Sequence, residues 1–190
     1  MMEQTFSNMT GKILIASPYA MQGNVFHKSL IYVVHHGDDG SIGLIFNHTV
    51  NNVSIDKLFK KIDLKVDSST LNLDVHIGGP VELERGFFLH SGEYSKNLLF
   101  QSTGNNLAVS SNTEILQDIA QGIGPMDTLF IVGYTGWKPG QMEFELENNL
   151  WIISEPDRNL IFNTEVNQWD LALKQLGINN SDFYPTPGKC

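Results

Sequence analysis

The stretch HIGGPVELERGFFLH, residues 76–90, joins a glycine-rich turn to charged side chains that could bind an anion. Gly78 and Gly79 could let the backbone cradle a phosphate, but the following proline removes one N–H, and no Walker or dinucleotide-binding spacing surrounds them. Arg85 could hold a carboxylate or phosphate with its planar guanidinium, or pair with one of the glutamates before it. The stretch therefore predicts a tight bend between two strands, with Arg85 as its candidate binding residue.

An enzyme needs an activated group, and the sequence points to none. No GxSxG motif occurs, and Cys190 is the single cysteine. Glu82 and Glu84 share one loop, but acid–base catalysis needs carboxyl groups in contrasting environments. We therefore assign no catalytic residue. An enzyme of unknown class is kept as an alternative, which requires a concave site at Arg85 and His90 in which solvent reaches His90.

Histidine side chains could bind a metal, and the densest group places His35 and His36 close to Asp38 and Asp39. Neighbouring side chains of a strand point to opposite faces, so the two histidines cannot share one ion in regular β geometry. The HExxH motif and paired Cys/His spacings are also missing from the sequence. We expect no metal and no cofactor, and interpret this group as a strand end that enters a polar turn.

A second unusual stretch, GYTGWKPGQ, surrounds Tyr134, Trp137 and Gln141 with glycines. Aromatic rings with a few polar groups are typical of ligand pockets, so these residues could line a groove for a ligand or partner. Trp137 could instead fill the gap between a strand and a helix. Asn47 ends another predicted strand, and the hypothesis is that it joins these residues and the Gly78–Arg85 turn in one binding surface.

The net charge argues against direct contact with nucleic acid. The chain has 12 basic and 21 acidic side chains, and its net charge of -9 repels phosphate backbones and anionic membranes. The one basic cluster, in a helical pattern with interleaved aspartates, consists of Lys57, Lys60, Lys61 and Lys65. A single cysteine, a polar N-terminal sequence and apolar runs too short for a membrane span predict a cytoplasmic protein.

Short β-branched runs dominate the sequence, so a sheet must position these candidates. Strands are predicted at 12–17, 29–36, 41–47, 73–78, 86–91, 98–102, 107–109, 128–134, 150–154 and 160–162. The turn residues at 37–40 join the second and third of these as a hairpin, and the glycine-rich bend joins 73–78 to 86–91. Near-continuous hydrophobicity predicts that the central strands are covered on both faces.

Helical spacing of apolar residues predicts four helices between the strands. The first is expected after Ser54 as far as Ile62, and the second after a capping box at Ser111–Glu114 as far as Gly122. A third is expected to begin at Pro139. The fourth is expected from Val166 to Leu176, with Trp169, Leu173 and Leu176 facing inward. Single helices between hairpins are typical of an α+β fold.

We therefore predict one domain over residues 1–190, with a mixed, largely antiparallel, bulged sheet and helices packed on it. Its core is expected at about residues 11–178, between flexible tails at 1–10 and 179–190.

Blocks of sequence spread over about residues 11–178 are similar to the YqgE/AlgH family of bacterial proteins. They are GKILIASPYAM, SLIYVVHHGDDGSIGLIFN, HIGGPVELERGFFLHS, QGIGPMDTLFIVGYTGWKPGQMEFEL, NNLWIIS, LIF and WDLALKQLGI. This resemblance implies a compact, intracellular α+β protein with a bulged, partly bifurcated mixed sheet, and no established enzymatic activity. Some members carry a label as transcriptional regulators, but this sequence has no helix-turn-helix pattern.

Two departures from the family pattern fall near the candidate residues. Asn47 is followed by His48-Thr49, where family members usually have Arg-Pro, and Thr135 replaces an alanine. If that arginine binds an anion in the family, the function is weakened here or made pH-sensitive by His48.

Together, sequence and resemblance favour a non-enzymatic binding or regulatory domain with an unidentified protein or small-molecule partner. A transcriptional regulator that acts indirectly is a further alternative.

Overall fold

The computed structural model describes residues 8–18, 21–50, 73–102 and 104–178. Within these ranges the strands are β1 (Ile13–Ala16), β2 (Leu30–Gly37), β3 (Gly40–Ile45), β4 (Val75–Ile77), β5 (Val81–Ser91), β6 (Leu98–Gln101), β7 (Leu107–Ser110), β8 (Thr128–Trp137) and β9 (Trp151–Ser154). The helices are α1 (Glu114–Ala120), α2 (Gln141–Glu147), α3 (Arg158–Phe162) and α4 (Gln168–Gln175). The predicted helix from Ser54 to Ile62, the lysine cluster and the tail at 179–190 lie outside the described residues, as do positions 1–7.

The strands form one sheet in the order β6-β7-β5-β8-β3-β2-β1-β9, with β4 also paired to β8. The β4–β8 pair is parallel, and the other pairs of the described sheet are antiparallel. The hairpin of β2 and β3 closes between Gly37 and Gly40, as the turn residues predict. An α+β fold with a largely antiparallel sheet is thus confirmed.

Strand β8 organises the sheet because it has three neighbours. Strand β5 runs along one edge, while the other edge is shared by β4, opposite Phe130–Val132, and β3, opposite Thr135–Trp137. Gly78 connects these two neighbours: its carbonyl accepts a hydrogen bond from the Ile45 N–H at 3.0 Å. The sheet therefore splits at this point of β8, next to the predicted glycine-rich turn.

Alternating side chains place apolar residues on both faces of the sheet. Strand β1 shows this clearly, because Ile13 and Ile15 belong to one core cluster, while Leu14 and Ala16 belong to another. The first cluster also contains residues of α3 and α4, including Leu160, Trp169 and Leu173. The second contains Met142 and Leu146 of α2. A third cluster joins Ile115 and Leu116 of α1 to Phe88 and Phe130 of the sheet. Cover on both faces explains the near-continuous hydrophobicity of the central strands.

The predicted hairpin of residues 73–78 and 86–91 is wrong. Strands β4 and β5 lie on opposite edges of β8, one parallel and one antiparallel, and they are not paired with each other. Strand β5 also begins at Val81, so residues assigned to the bend belong to a strand, with a register shift between Val81 and Gly86. The glycines turn the chain across the end of β8, which local sequence alone cannot distinguish from a hairpin.

Three smaller predictions also need correction. The run at 160–162 lies in helix α3, where Asp157 caps the N-terminus by accepting from the Asn159 N–H at 2.9 Å. The capping box at Ser111–Glu114 is absent, because α1 begins at Glu114 and its N–H donates to Asn112 Oδ1 at 2.8 Å. Leu176 points outward, with 41% of its surface exposed.

Candidate functional site

Four of the predicted site residues lie together where β5 meets β8, namely Gly78, Gly79, Arg85 and Tyr134. The Tyr134 hydroxyl donates to Glu82 Oε1 at 3.3 Å, and Arg85 Nη1 donates to Glu82 Oε2 at 3.2 Å. The Arg85 guanidinium also lies over the Phe87 ring, 5.2 Å from its centroid. Arg85 thus forms the ion pair that the sequence left open, with about half of its side chain still exposed to solvent.

The bulge in β5 makes this part of the surface accessible. All five residues from Val81 to Arg85 are exposed, and Glu82 adopts a left-handed backbone with φ of 48°. We define the bulge surface as Val81, Glu82, Leu83, Arg85 and Tyr134. Partial burial and the Glu82 carboxylate raise the pKa of the Tyr134 hydroxyl, which keeps it protonated as a hydrogen-bond donor.

The predicted residues Gly78 and Gly79 pack closely against the backbone of β8 next to the bulge surface. A Cβ on Gly79 would lie 2.3 Å from the Tyr134 carbonyl oxygen, and a Cβ on Gly78 would lie 2.4 Å from that of Gly133. The Gly78 N–H donates to the Val132 carbonyl at 2.8 Å, so it is not offered to a phosphate. These glycines allow two backbones to approach closely and do not form an anion cradle.

The Thr135 side chain strengthens the same contact. Its hydroxyl is buried and donates to the Gly78 carbonyl at 3.1 Å. The alanine usual in the family has no hydroxyl, so this sequence gains one hydrogen bond between β8 and the Gly78–Gly79 segment.

A small apolar pocket of about 190 Å³ lies beside Arg85. The stacked rings of Phe88 and Phe130, 5.0 Å apart, form part of its wall. Ser111 and Thr113 add hydroxyl groups to the lining. The pocket shares only Arg85 with the bulge surface, and its walls Phe88 and Phe130 belong to the third cluster, whereas Tyr134 packs against the first.

Trp137 and Gln141 form a separate group on the opposite face of the sheet. Glu145 accepts hydrogen bonds from the indole N–H groups of Trp137 and Trp151 at 2.8 and 2.7 Å, and from the Gln141 amide at 2.9 Å. Trp137 is buried among residues of the second cluster, whereas Tyr134 packs against the first. Trp137 thus fills the gap between β8 and α2, and the expectation of one surface shared by all three turns is wrong.

Asn47 has a structural role at the entrance to β2. Its side-chain oxygen accepts from the Leu30 N–H at 2.7 Å, and its amide donates to the Lys28 carbonyl at 2.8 Å. The side chain therefore bonds both to the first residue of β2 and to Lys28 in the loop before it. Asn47 holds two backbone segments together and does not join the bulge surface.

His90 lies in the interior, away from the bulge surface. The ring is fully buried, with Nδ1 2.9 Å from the Ser91 carbonyl and Nε2 3.0 Å from Ser110 Oγ. A carbonyl only accepts, so Nδ1 carries the proton and Nε2 accepts from the serine hydroxyl. The hypothesis of an enzyme with a site at Arg85 and His90 requires that solvent reach His90, and this requirement is not met.

Within the described part of the chain, no three His, Cys, Asp or Glu side chains are grouped to hold a metal ion. None of its helices is both long and apolar enough to cross a membrane.

The sequence matches a known protein family over most of its length. A family model described as AlgH-like matches residues 13–181. The chain belongs to the AlgH-like family. The resemblance seen in the sequence blocks is therefore confirmed. Relatives include UPF0301 proteins of Rickettsia typhi and Rickettsia prowazekii, each 50% identical over 184 and 185 residues, with 96% of both chains covered in each case.

Two solved structures share the AlgH-like fold. The solution structure of the AlgH protein from Pseudomonas aeruginosa is 29% identical, with a TM-score of 0.75 and full coverage of both chains. A crystal structure of a Corynebacterium diphtheriae protein, 18% identical, gives a TM-score of 0.69 over 93% of this chain and 87% of that one, and supports the fold alone.

A second cavity of this AlgH-like chain is lined by His76 and Thr128, neither of which is among the predicted site residues. The signal was present in the strand VHI, where one polar residue stands between two apolar ones. His76 is paired with Ile131 of β8, whose side chain belongs to the first core cluster. A histidine at a core position of a strand is the feature that could have identified it.

The buried His76 and His90 and the half-buried His48 predict a loss of stability in mild acid. Burial lowers the pKa of His48, His76 and His90 in the folded protein, while the unfolded chain binds protons near a pKa of about 6.5. Their contribution to stability is therefore complete above about pH 6.5 and declines as the pH falls toward the folded pKa values. Urea unfolding at about pH 7.5 and about pH 5.5 should show a lower free energy of unfolding in acid; equal values would contradict this assignment.

Proposed function

We propose that this AlgH-like chain is a non-enzymatic binding or regulatory domain of the cytoplasm, and that its bulge surface binds a protein partner. The observation that carries the proposal is the bulge in β5, where five consecutive residues are exposed from Val81 to Arg85. Small molecules usually occupy concave sites, whereas an exposed strand segment suits the surface of another protein.

The composition of the bulge surface supports this choice. Leu83 is 53% exposed and Val81 is 37% exposed, which places apolar area beside the guanidinium of Arg85 and the ring of Tyr134. Arginine, tyrosine and large apolar side chains are the residues that contribute most to protein interfaces. The pocket beside Arg85 could receive a side chain of the partner, which would add a buried anchor to the contact.

A regulatory role would act through such a partner and not through DNA. The net charge of -9 opposes contact with phosphate backbones, so the sequence favours indirect regulation. The small-molecule alternative for this surface is limited to the pocket of about 190 Å³, which is below the usual size of ligand sites.

Substitutions on the bulge surface should reduce capture of the partner without unfolding the protein. Leu83→Asp places a charge in the proposed interface, and Arg85→Ala removes its guanidinium, so each should lower the captured amount about tenfold. The measurement is quantitative affinity capture from native lysate, followed by mass spectrometry. A genuine partner is lost from both variants in parallel.

Leu99→Asp provides a matched control, because Leu99 is 51% exposed and lies on β6. It introduces the same charge at a similar exposure away from the bulge, so it should capture the partner as well as the unmodified chain does. Equal capture by all three variants would refute the proposed surface.

A further inference from the structure

A cavity of about 300 Å³ lies where β4, the start of β8 and the ends of α1 and α3 meet. It is separate from the bulge surface, since no residue of that surface lines it. Met126 and Phe162 are among its apolar walls, and its polar lining consists of Asp74, His76, Asp127, Thr128 and Thr164. Its volume is at the lower end of the range for small-molecule sites.

Two buried polar side chains in this cavity have unused hydrogen-bonding capacity. His76 is 1% exposed, and neither of its ring nitrogens has a hydrogen-bond partner of normal geometry. The hydroxyl oxygen of Thr128 is also buried without a partner. Leaving such groups unpaired in the interior is unfavourable, so a bound molecule that pairs with them would gain binding energy.

The protonation state of His76 determines which hydrogen-bonding groups a bound molecule must have. Burial lowers the pKa of the ring, opposed by the Asp74 carboxylate and the nearby Phe46 carbonyl and reinforced by His48. The neutral ring has one nitrogen with a lone pair and one N–H. With the threonine hydroxyl and the aspartate carboxylate, the lining is therefore richer in acceptors than in donors.

The charged side chains around the cavity determine whether it favours a positively or a negatively charged ligand. Asp127 is paired with Arg158, whose Nε lies 2.6 Å from Oδ2, so this carboxylate is largely compensated. Asp74 adds a negative charge to the lining and would repel an anion. The described residues around the cavity do not form a group of three metal-binding side chains. A positively charged organic group with several N–H donors fits these conditions.

We propose that this cavity binds a small organic ammonium compound, whose N–H groups donate to the Asp74 carboxylate, the Thr128 hydroxyl and the unprotonated ring nitrogen of His76. The apolar walls contact the carbon chain of the ligand. This site is independent of the proposed partner surface, because the two share no residues.

The test uses the full chain and three four-carbon probes of different charge. Butylamine, which is a cation at neutral pH, should shift the imidazole resonances of His76 in a saturable way in heteronuclear NMR spectra. Butyrate and butanol, which lack the ammonium group, should leave these resonances in place at the same millimolar concentrations. Absence of a saturable shift with butylamine, or equal shifts with butyrate, would overturn the proposal.

Variants then assign the binding to this cavity. Asp74→Asn and Thr128→Val should each weaken butylamine binding, with about a tenfold loss for the charged partner. Asp38→Asn removes the same charge from the exposed turn between β2 and β3 and should leave the affinity unchanged. Equal weakening by Asp38→Asn would show a non-specific charge effect and refute the site. Retained folding of each variant is checked by its thermal unfolding.

Discussion

Gly79→Ala is expected to lower the free energy of unfolding by about 4 kcal/mol, a large share of the total for a domain of this size. The added Cβ would lie 2.3 Å from the Tyr134 carbonyl oxygen and 2.4 Å from Thr135 Oγ1, and the φ of 151° is one that L residues rarely adopt. Backbone atoms cannot move aside without breaking the pairing of β8. Urea unfolding followed by circular dichroism measures the loss.

Gly104→Ala is the matched control for this substitution. A Cβ at Gly104 meets no atom within 4 Å, and its φ is not in the left-handed region. Alanine there should be neutral or slightly stabilising, because it restricts the unfolded chain. Similar stabilities of Gly79→Ala and the unmodified protein would contradict the close approach of the two backbones.

Glu145→Ala is expected to cost about 3 kcal/mol, because one carboxylate pairs with two buried indoles. Its removal leaves the N–H groups of Trp137 and Trp151 without their acceptor, and these side chains are only 6% and 4% exposed. It also removes the acceptor of the Gln141 amide. The free energy of unfolding and the tryptophan fluorescence report the effect together, since both indoles change environment.

Two variants separate this effect from a general effect of helix α2. Glu145→Gln retains one acceptor oxygen and should lose about half as much stability. Glu147→Ala removes an acid from an exposed position of the same helix and should change stability by less than about 0.5 kcal/mol. If Glu147→Ala costs as much as Glu145→Ala, the shared carboxylate does not link the two indoles energetically.

Local chemistry determined which parts of the fold could be predicted. The β2–β3 hairpin depends on four turn residues between two apolar runs, and Gly122 and Gly177 end α1 and α4 in left-handed conformations. In contrast, β4 and β5 are positioned by β8, which lies far along the chain. No local pattern in the Gly78–Gly79 segment could reveal that its two flanking strands take opposite edges of a third.

Contacts between residues distant in the sequence also explain why only part of the candidate site could be predicted. The sequence groups Tyr134 with Trp137 because glycines surround both aromatic rings, but β8 continues through this stretch and the two rings pack on opposite faces. Gly78, Gly79, Arg85 and Tyr134 lie together in the structure because β5 and the Gly78–Gly79 segment both contact β8 at this point. The burial of His90 depends on Ser110 of β7, which sequence spacing does not identify as its partner.

The pairing of β1 with β9 sets the order in which the protein can be completed during synthesis. Ile13 lies opposite Ser154, and the Trp169 indole donates to the Ala16 carbonyl, so the first strand obtains its outer neighbour from the last third of the chain. At ribosomal speeds of about 5–20 residues per second, the outer edge of β1 stays unpaired for roughly ten seconds. Because an open edge can pair with another strand, the edge of β1 is a site at which nascent chains can associate until β9 emerges.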